Sequence, residues 1–250
     1  MDTHAIELRR ASPKEAAGQL ADELEVGLRA AREEGRPFVL GLATGQTMRP
    51  VWDELACRQA RGSLSLGRVR AFALDEYCGL PAGHPESMRA ELERGLLARV
   101  DLPPEQLQLP DVHGSASLEE RCEAYERALR VAGGVDLQLL GVGANGHVAF
   151  NEPGSAPDSR TRRVHLAPET RAAAAARFGG PEAVPSAALT MGIATIREAR
   201  ALRIFAFGAA KAAAVRRAAA GGPERDWPVT LLAGHSDLRL FADDAACEQV

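Results

Sequence analysis

Val135-Asp136-Leu137-Gln138-Leu139-Leu140-Gly141-Val142-Gly143-Ala144-Asn145-Gly146-His147 is the stretch that decides the fold. Its first eight residues form a short apolar run of the kind that parallel strands show when both of their faces are buried. Three glycines in six residues then allow a tight backbone, and the run ends on an imidazole. The same order, apolar run then glycine or acid then helical period, recurs at Phe38-Leu42, Val69-Leu74 and Leu202-Phe207. Further strands are expected at Val229-Leu232 and Leu238-Phe241, with helices over 13-34, 47-60, 86-99, 117-132 and 209-220. This alternation predicts an α/β fold: an open, mostly parallel Rossmann-like sheet flanked by helices.

Working outward, Ser12-Pro13-Lys14-Glu15 opens the first helix with an N-cap, a proline at the first position and a capping-box glutamate, and Gly35 closes it. Residues 152-190 carry weak strand or helix character around an alanine-rich run, and read as a lid-like excursion over the sheet. No linker or repeat divides residues 1-250, so a single domain is expected.

The 250 residues, 46% apolar and 26% charged, suffice for a sizeable core. A net charge of -4 argues against nucleic acid as a partner, because such a binder needs a basic face. Met1 to Arg10 lacks an apolar signal core, and no run approaches the roughly 20 apolar residues of a membrane span. Cys57, Cys78, Cys122 and Cys247 are widely spaced and read as free thiols. A cytoplasmic location without membrane contact follows as the expectation, and the sequence leaves homo-oligomerisation open.

In an open parallel sheet, ligands bind beyond the carboxyl ends of the strands. Four such ends carry polar groups. After 38-42, Thr44-Gly45-Gln46-Thr47 leads into a helix and offers amides and hydroxyls to a phosphate, although a plain helix-capping loop would look alike. It lacks the lysine and the glycine spacing of nucleotide-binding turns. After 69-74, Asp75 is either a turn carboxylate or one whose pKa burial raises for proton transfer. After 135-142, His147 with Glu152 close behind can shuttle protons near neutral pH. No second histidine or cysteine lies at ligand spacing, so no metal is expected. After 202-207, Lys211 falls in the first helical turn, where a cation gains nothing from the helix dipole. Lys14 and Lys211 are the two lysines in a chain whose other basic residues are arginine, and an anion shared with the helix amides explains Lys211 better than a structural role.

With those sites assembled, the chain resembles the glucosamine-6-phosphate deaminase family, related in fold to 6-phosphogluconolactonases. The resemblance rests on Gly41-Leu42-Ala43-Thr44-Gly45, Leu74-Asp75-Glu76-Tyr77-Cys78-Gly79-Leu80-Pro81, His84-Pro85-Glu86-Ser87 and Gly141 to Gly154. Ser159-Arg160-Thr161-Arg162, Thr170-Arg171, Ala188-Leu189-Thr190-Met191-Gly192 and Gly208-Ala209-Ala210-Lys211 extend it. Gly146-His147-Val148-Ala149-Phe150-Asn151-Glu152-Pro153-Gly154 is the most specific element and separates the chain from the lactonases.

The resemblance implies a cofactor-free isomerase and deaminase of glucosamine 6-phosphate, acting in amino-sugar metabolism and releasing fructose 6-phosphate and ammonia. It implies that Asp75 moves a proton between C1 and C2, and that His147 opens the ring with Glu152 and Asn145 orienting it. It implies that Thr44, Gly45, Gln46, Thr47, Arg171 and Lys211 hold the phosphate. Asn145 stands where many members have Asp, Gln46 replaces a small residue, and Met88 replaces an aromatic. The neutral Asn145 implies an easier loss of the His147 proton. Arg162 matches a basic position of the allosteric members while Val164 stands in place of their lysine, which implies hyperbolic kinetics without an activator. Galactosamine 6-phosphate as substrate, lactonase activity and a non-catalytic phosphosugar-binding regulator are the alternatives.

Overall fold

Leu40, Leu42, Leu139 and Leu140 are fully buried, and each contributes about 1.5-3 kcal/mol by leaving water. They belong to two adjacent strands at the heart of a parallel sheet, in a computed structural model that describes residues 6-250. The reading of Met1 to Arg10 therefore falls partly outside the described residues. Among the described residues the strands are β1 (Glu7–Arg10), β2 (Phe38–Leu42), β3 (Val69–Ala73), β4 (Asp75–Tyr77), β5 (Leu107–Gln108), β6 (Leu137–Gly141), β7 (Arg162–His165), β8 (Ala187–Thr190), β9 (Ala201–Ala206) and β10 (Leu238–Ala242). Seven of them form one sheet in the order β1-β10-β9-β6-β2-β3-β5, with every pairing parallel. The helices are α1 (Pro13–Glu33), α2 (Arg49–Ala60), α3 (Met88–Gly95), α4 (Leu118–Val131), α5 (Pro168–Phe178), α6 (Ile193–Arg197) and α7 (Ala212–Ala220). No helix of the described residues is long and apolar enough to cross a membrane.

The strand order places the functional edge. The chain leaves β2 toward β3 on one side and later leaves β6 toward β9 on the other, so the two connections diverge and open a crevice between them. Ser12 caps α1 through the expected box, with the Glu15 amide donating to Ser12 and the Ser12 amide donating to Glu15.

Three expectations need correction. Val229-Leu232 is not a strand but part of a 3-10 turn over Pro228–Leu232, buried on all sides. A short apolar run cannot be told from a buried helical turn by its pattern, and Pro228 favours a helical start. Residues 152-190 are not irregular. They hold β7, α5 and β8, and β8 pairs antiparallel with both β7 and β4 to make a second, three-stranded sheet. The helix expected over 86-99 is shorter, capped by the Ser87 hydroxyl and followed by a separate 3-10 turn at Leu97–Arg99.

Candidate active site

The four strands whose ends carry the candidate groups, β9, β6, β2 and β3, are consecutive neighbours in the sheet. Their parallel pairing sends Lys211, His147, Thr44 to Thr47, and Asp75 to the same edge.

The turn after β6 is closed by Gly143 donating to the His147 carbonyl at 2.8 Å and Gly146 donating to the Gly143 carbonyl at 3.0 Å. The imidazole folds back so tightly that a Cβ at residue 143 would lie 2.2 Å from its Cε1, so only glycine fits there. His147 Nδ1 lies 2.7 Å from Asn145 Oδ1, and Asn145 Nδ2 donates to Glu152 Oε2 at 3.1 Å. A carboxylate only accepts, so Glu152 fixes the amide with its oxygen toward the ring. Nδ1 of the neutral imidazole then carries the proton and Nε2 keeps a lone pair. The Ala167 amide donates to Glu152 Oε1, and Thr170 Oγ1 lies 3.5 Å from Nδ1, which ties the network to the start of α5. Burial holds the His147 pKa below its ordinary value; Glu152, 3.6 Å from Nδ1, opposes this and the Lys211 charge adds to it. Dehydration is thus the main cause of the shift.

Asp75 differs. It is 7% exposed, and its carboxylate accepts no hydrogen bond from the described residues. Burial, then the negative charges of Glu76 and Glu91, push its pKa up to about 8. Glu76 is committed elsewhere, because its oxygens accept the amides of Tyr77, Met88 and Arg89 at 2.8, 2.9 and 3.0 Å and cap α3. Asp75 pairs in register with Thr190, whose hydroxyl accepts the Phe150 amide at 3.1 Å. The next residue, Met191, accepts from Asn151 Nδ2 at 2.8 Å and donates its amide to Leu74 at 2.8 Å. The end of β8 therefore locks the histidine segment to the strand end that carries Asp75. Thr190 lay within a motif quoted from the sequence, but its joining role depends on a strand pairing that no local pattern reveals.

The phosphate candidates are less uniformly assembled. Lys211 has no ion pair among the described residues, and burial holds its pKa below the ordinary lysine value. Gly45 turns the chain with a φ of 97°, a conformation that favours glycine, into the 3-10 turn Gln46–Met48 and then α2. The Thr44 hydroxyl contacts the Met88 sulfur at 3.0 Å, and the Gly45 amide donates to Glu91 at 2.9 Å. No side-chain hydrogen bond engages Gln46 or Thr47 among the described residues. Arg171 donates to the carbonyls of Pro181 at 2.8 Å and Val184 at 3.3 Å, and no interaction joins it to Lys211 or to the 44-47 turn. Glu91 and its partner Arg177, 2.9 Å away, were not legible in the sequence, where they look like ordinary helix-surface charges. Among the described residues no group of three or more His, Cys, Asp or Glu could hold a metal ion.

Residues 11-240 match the family described as glucosamine-6-phosphate isomerases/6-phosphogluconolactonase. The glucosamine-6-phosphate deaminase of Beutenbergia cavernae is 45% identical over 238 residues, covering 94% of this chain and 89% of that one. The deaminase of Mycolicibacterium smegmatis is 47% identical over 214 residues, covering 85% and 81%. A solved structure of a monomeric glucosamine-6-phosphate deaminase superposes with a TM-score of 0.92 at 32% identity, covering 98% of this chain and 100% of that one. The 6-phosphogluconolactonase of Trypanosoma brucei shares the fold at a TM-score of 0.77 and 20% identity, covering 99% and 100%.

Proposed function

The chain belongs to the glucosamine-6-phosphate isomerase/6-phosphogluconolactonase family, and from that premise we propose that it converts glucosamine 6-phosphate and water into fructose 6-phosphate and ammonia. The observation that carries the reading is a dehydrated, unpartnered carboxyl at Asp75 on the same sheet edge as a fixed His147-Asn145-Glu152 relay, two strands away.

Each residue then has one task. Lys211 and the 44-47 turn hold the phosphate, the lysine as a point charge and the turn through amides and hydroxyls, with Arg171 contributing a guanidinium once it leaves its carbonyl partners. Neutral His147, with its lone pair on Nε2, takes the proton of the anomeric hydroxyl and returns it to the ring oxygen, which opens the pyranose. Asp75 removes the proton from C2 to give an enolate that bears the C2 amine. It then returns that proton to C1, leaving an alkoxide on C1 and an iminium at C2, and the alkoxide takes a proton from the iminium to leave a hydroxyl and an imine. Water adds to that imine and ammonia departs, so that the atoms balance. A proton carrier works best with a pKa near the operating pH, and dehydration brings Asp75 there.

The enzyme acts as one domain. All four cysteines are free, which fits a reducing cytoplasm. Incubating the protein with glucosamine 6-phosphate and a chelator should yield equal amounts of ammonia and fructose 6-phosphate. Hydrolysis of 6-phosphogluconolactone with no ammonia from the amino sugar would overturn the assignment.

A further inference from the structure

α3 sends two side chains onto the turn that follows β2. Met88 takes the Thr44 hydroxyl at 3.0 Å, and Glu91 takes the Gly45 amide at 2.9 Å through Oε1. The Glu91 side chain is only 12% exposed, and its other oxygen lies 2.9 Å from Arg177 Nη1 on α5. Arg177 is shared, since its Nε donates to Glu86 Oε2 at 2.8 Å. A carboxylate thus stands on a backbone donor that the proposed function gives to the substrate's phosphate, and two anions cannot use one amide.

We propose that Glu91 is an internal competitor for the phosphate site: the incoming phosphate displaces its carboxylate from Gly45, and the carboxylate then rests wholly on Arg177. The residue sets how tightly the enzyme holds phosphorylated ligands, and it couples phosphate entry to the α3-α5 contact. A donor that is free for only a fraction of the time lowers apparent affinity by that fraction. The inference rests on the reading of the 44-47 turn as the phosphate cradle.

The test uses inorganic phosphate as the probe, by calorimetric titration and as an inhibitor of turnover, on the full chain. Glu91→Gln keeps the size and an acceptor oxygen but removes the charge. It should tighten phosphate and lower KM for glucosamine 6-phosphate by about three- to tenfold, with a smaller change in kcat. Arg177→Met removes the alternative resting place and should weaken phosphate binding, while the double variant should follow Glu91→Gln. Phosphate binding unchanged or weakened in Glu91→Gln, with a melting temperature like the wild type, would overturn the proposal. A wild-type protein that binds phosphate but releases no ammonia would instead sink the proposed reaction and leave the competition intact.

Discussion

Asp75 and His147 follow strands two places apart, β3 and β6, on one sheet edge, yet they are tuned by opposite means. His147 is held by partners: Asn145 fixes its tautomer, Glu152 fixes Asn145, and the Ala167 amide fixes Glu152. Asp75 is set by burial without partners: nothing among the described residues donates to its carboxylate, and the like charges of Glu76 and Glu91 add to the effect of burial. Orientation is what ring opening demands, because a proton must pass between two fixed oxygens. Basicity is what proton removal from carbon demands, and a hydrogen-bonded carboxylate would be too weak a base.

The largest expected effect breaks the Asp75 side of this contrast. Asp75→Asn should lower kcat by about 10²- to 10⁴-fold while leaving KM nearly unchanged, because the base acts in the transition state and not in phosphate capture. Turnover near that of the wild type would exclude Asp75 as the carrier. A smaller change separates both proton sites from binding. Lys211→Ala should raise KM by about ten- to a hundredfold, the worth of a charge-assisted contact of about 1.5-3 kcal/mol, with kcat less affected. Kinetics that leave KM where it was would move the phosphate away from Lys211.

The smallest effect sharpens the His147 side. Asn145→Asp places a negative charge beside Nδ1, 2.7 Å from the present amide oxygen, and stabilises imidazolium. The His147 pKa should therefore rise, which an NMR titration of its ring reads directly, whereas the acid limb of the pH-rate profile is set by the higher pKa of Asp75. A ring that titrates no higher in Asn145→Asp than in the wild type would show that residue 145 does not tune His147.

Much of this is legible in the amino-acid sequence, for identifiable reasons. β2, β3, β6 and β9 are buried on both faces and read as apolar runs, and the groups after them follow from the strand-end rule. β1 was missed because Glu7-Leu8-Arg9-Arg10 is a charged edge strand, and β7 because Arg162-Arg163-Val164-His165 alternates intermediate and exposed positions. α5 escaped for another reason. Its alanines favour helix, but Thr170 is its one buried residue, so no apolar stripe marks it. The second sheet depends on β4 meeting β8 across more than a hundred residues, and the Glu91-Arg177 pair likewise joins distant segments, so neither leaves a local signature. The catalytic candidates were thus readable from position on the sheet, whereas the side chains that adjust them were not.

The proposed reaction requires Asp75 to be a dehydrated carboxyl that exchanges protons in the working pH range. Carbon-13 NMR of the protein labelled at its aspartate carboxyl groups, with Asp75→Asn identifying the resonance, would follow that group directly through a pH titration. The expected midpoint lies near pH 8, far above the roughly 3.9 of an ordinary aspartate. A midpoint near 4 would mean that Asp75 is solvated or paired in solution, and would contradict its assignment as the proton carrier.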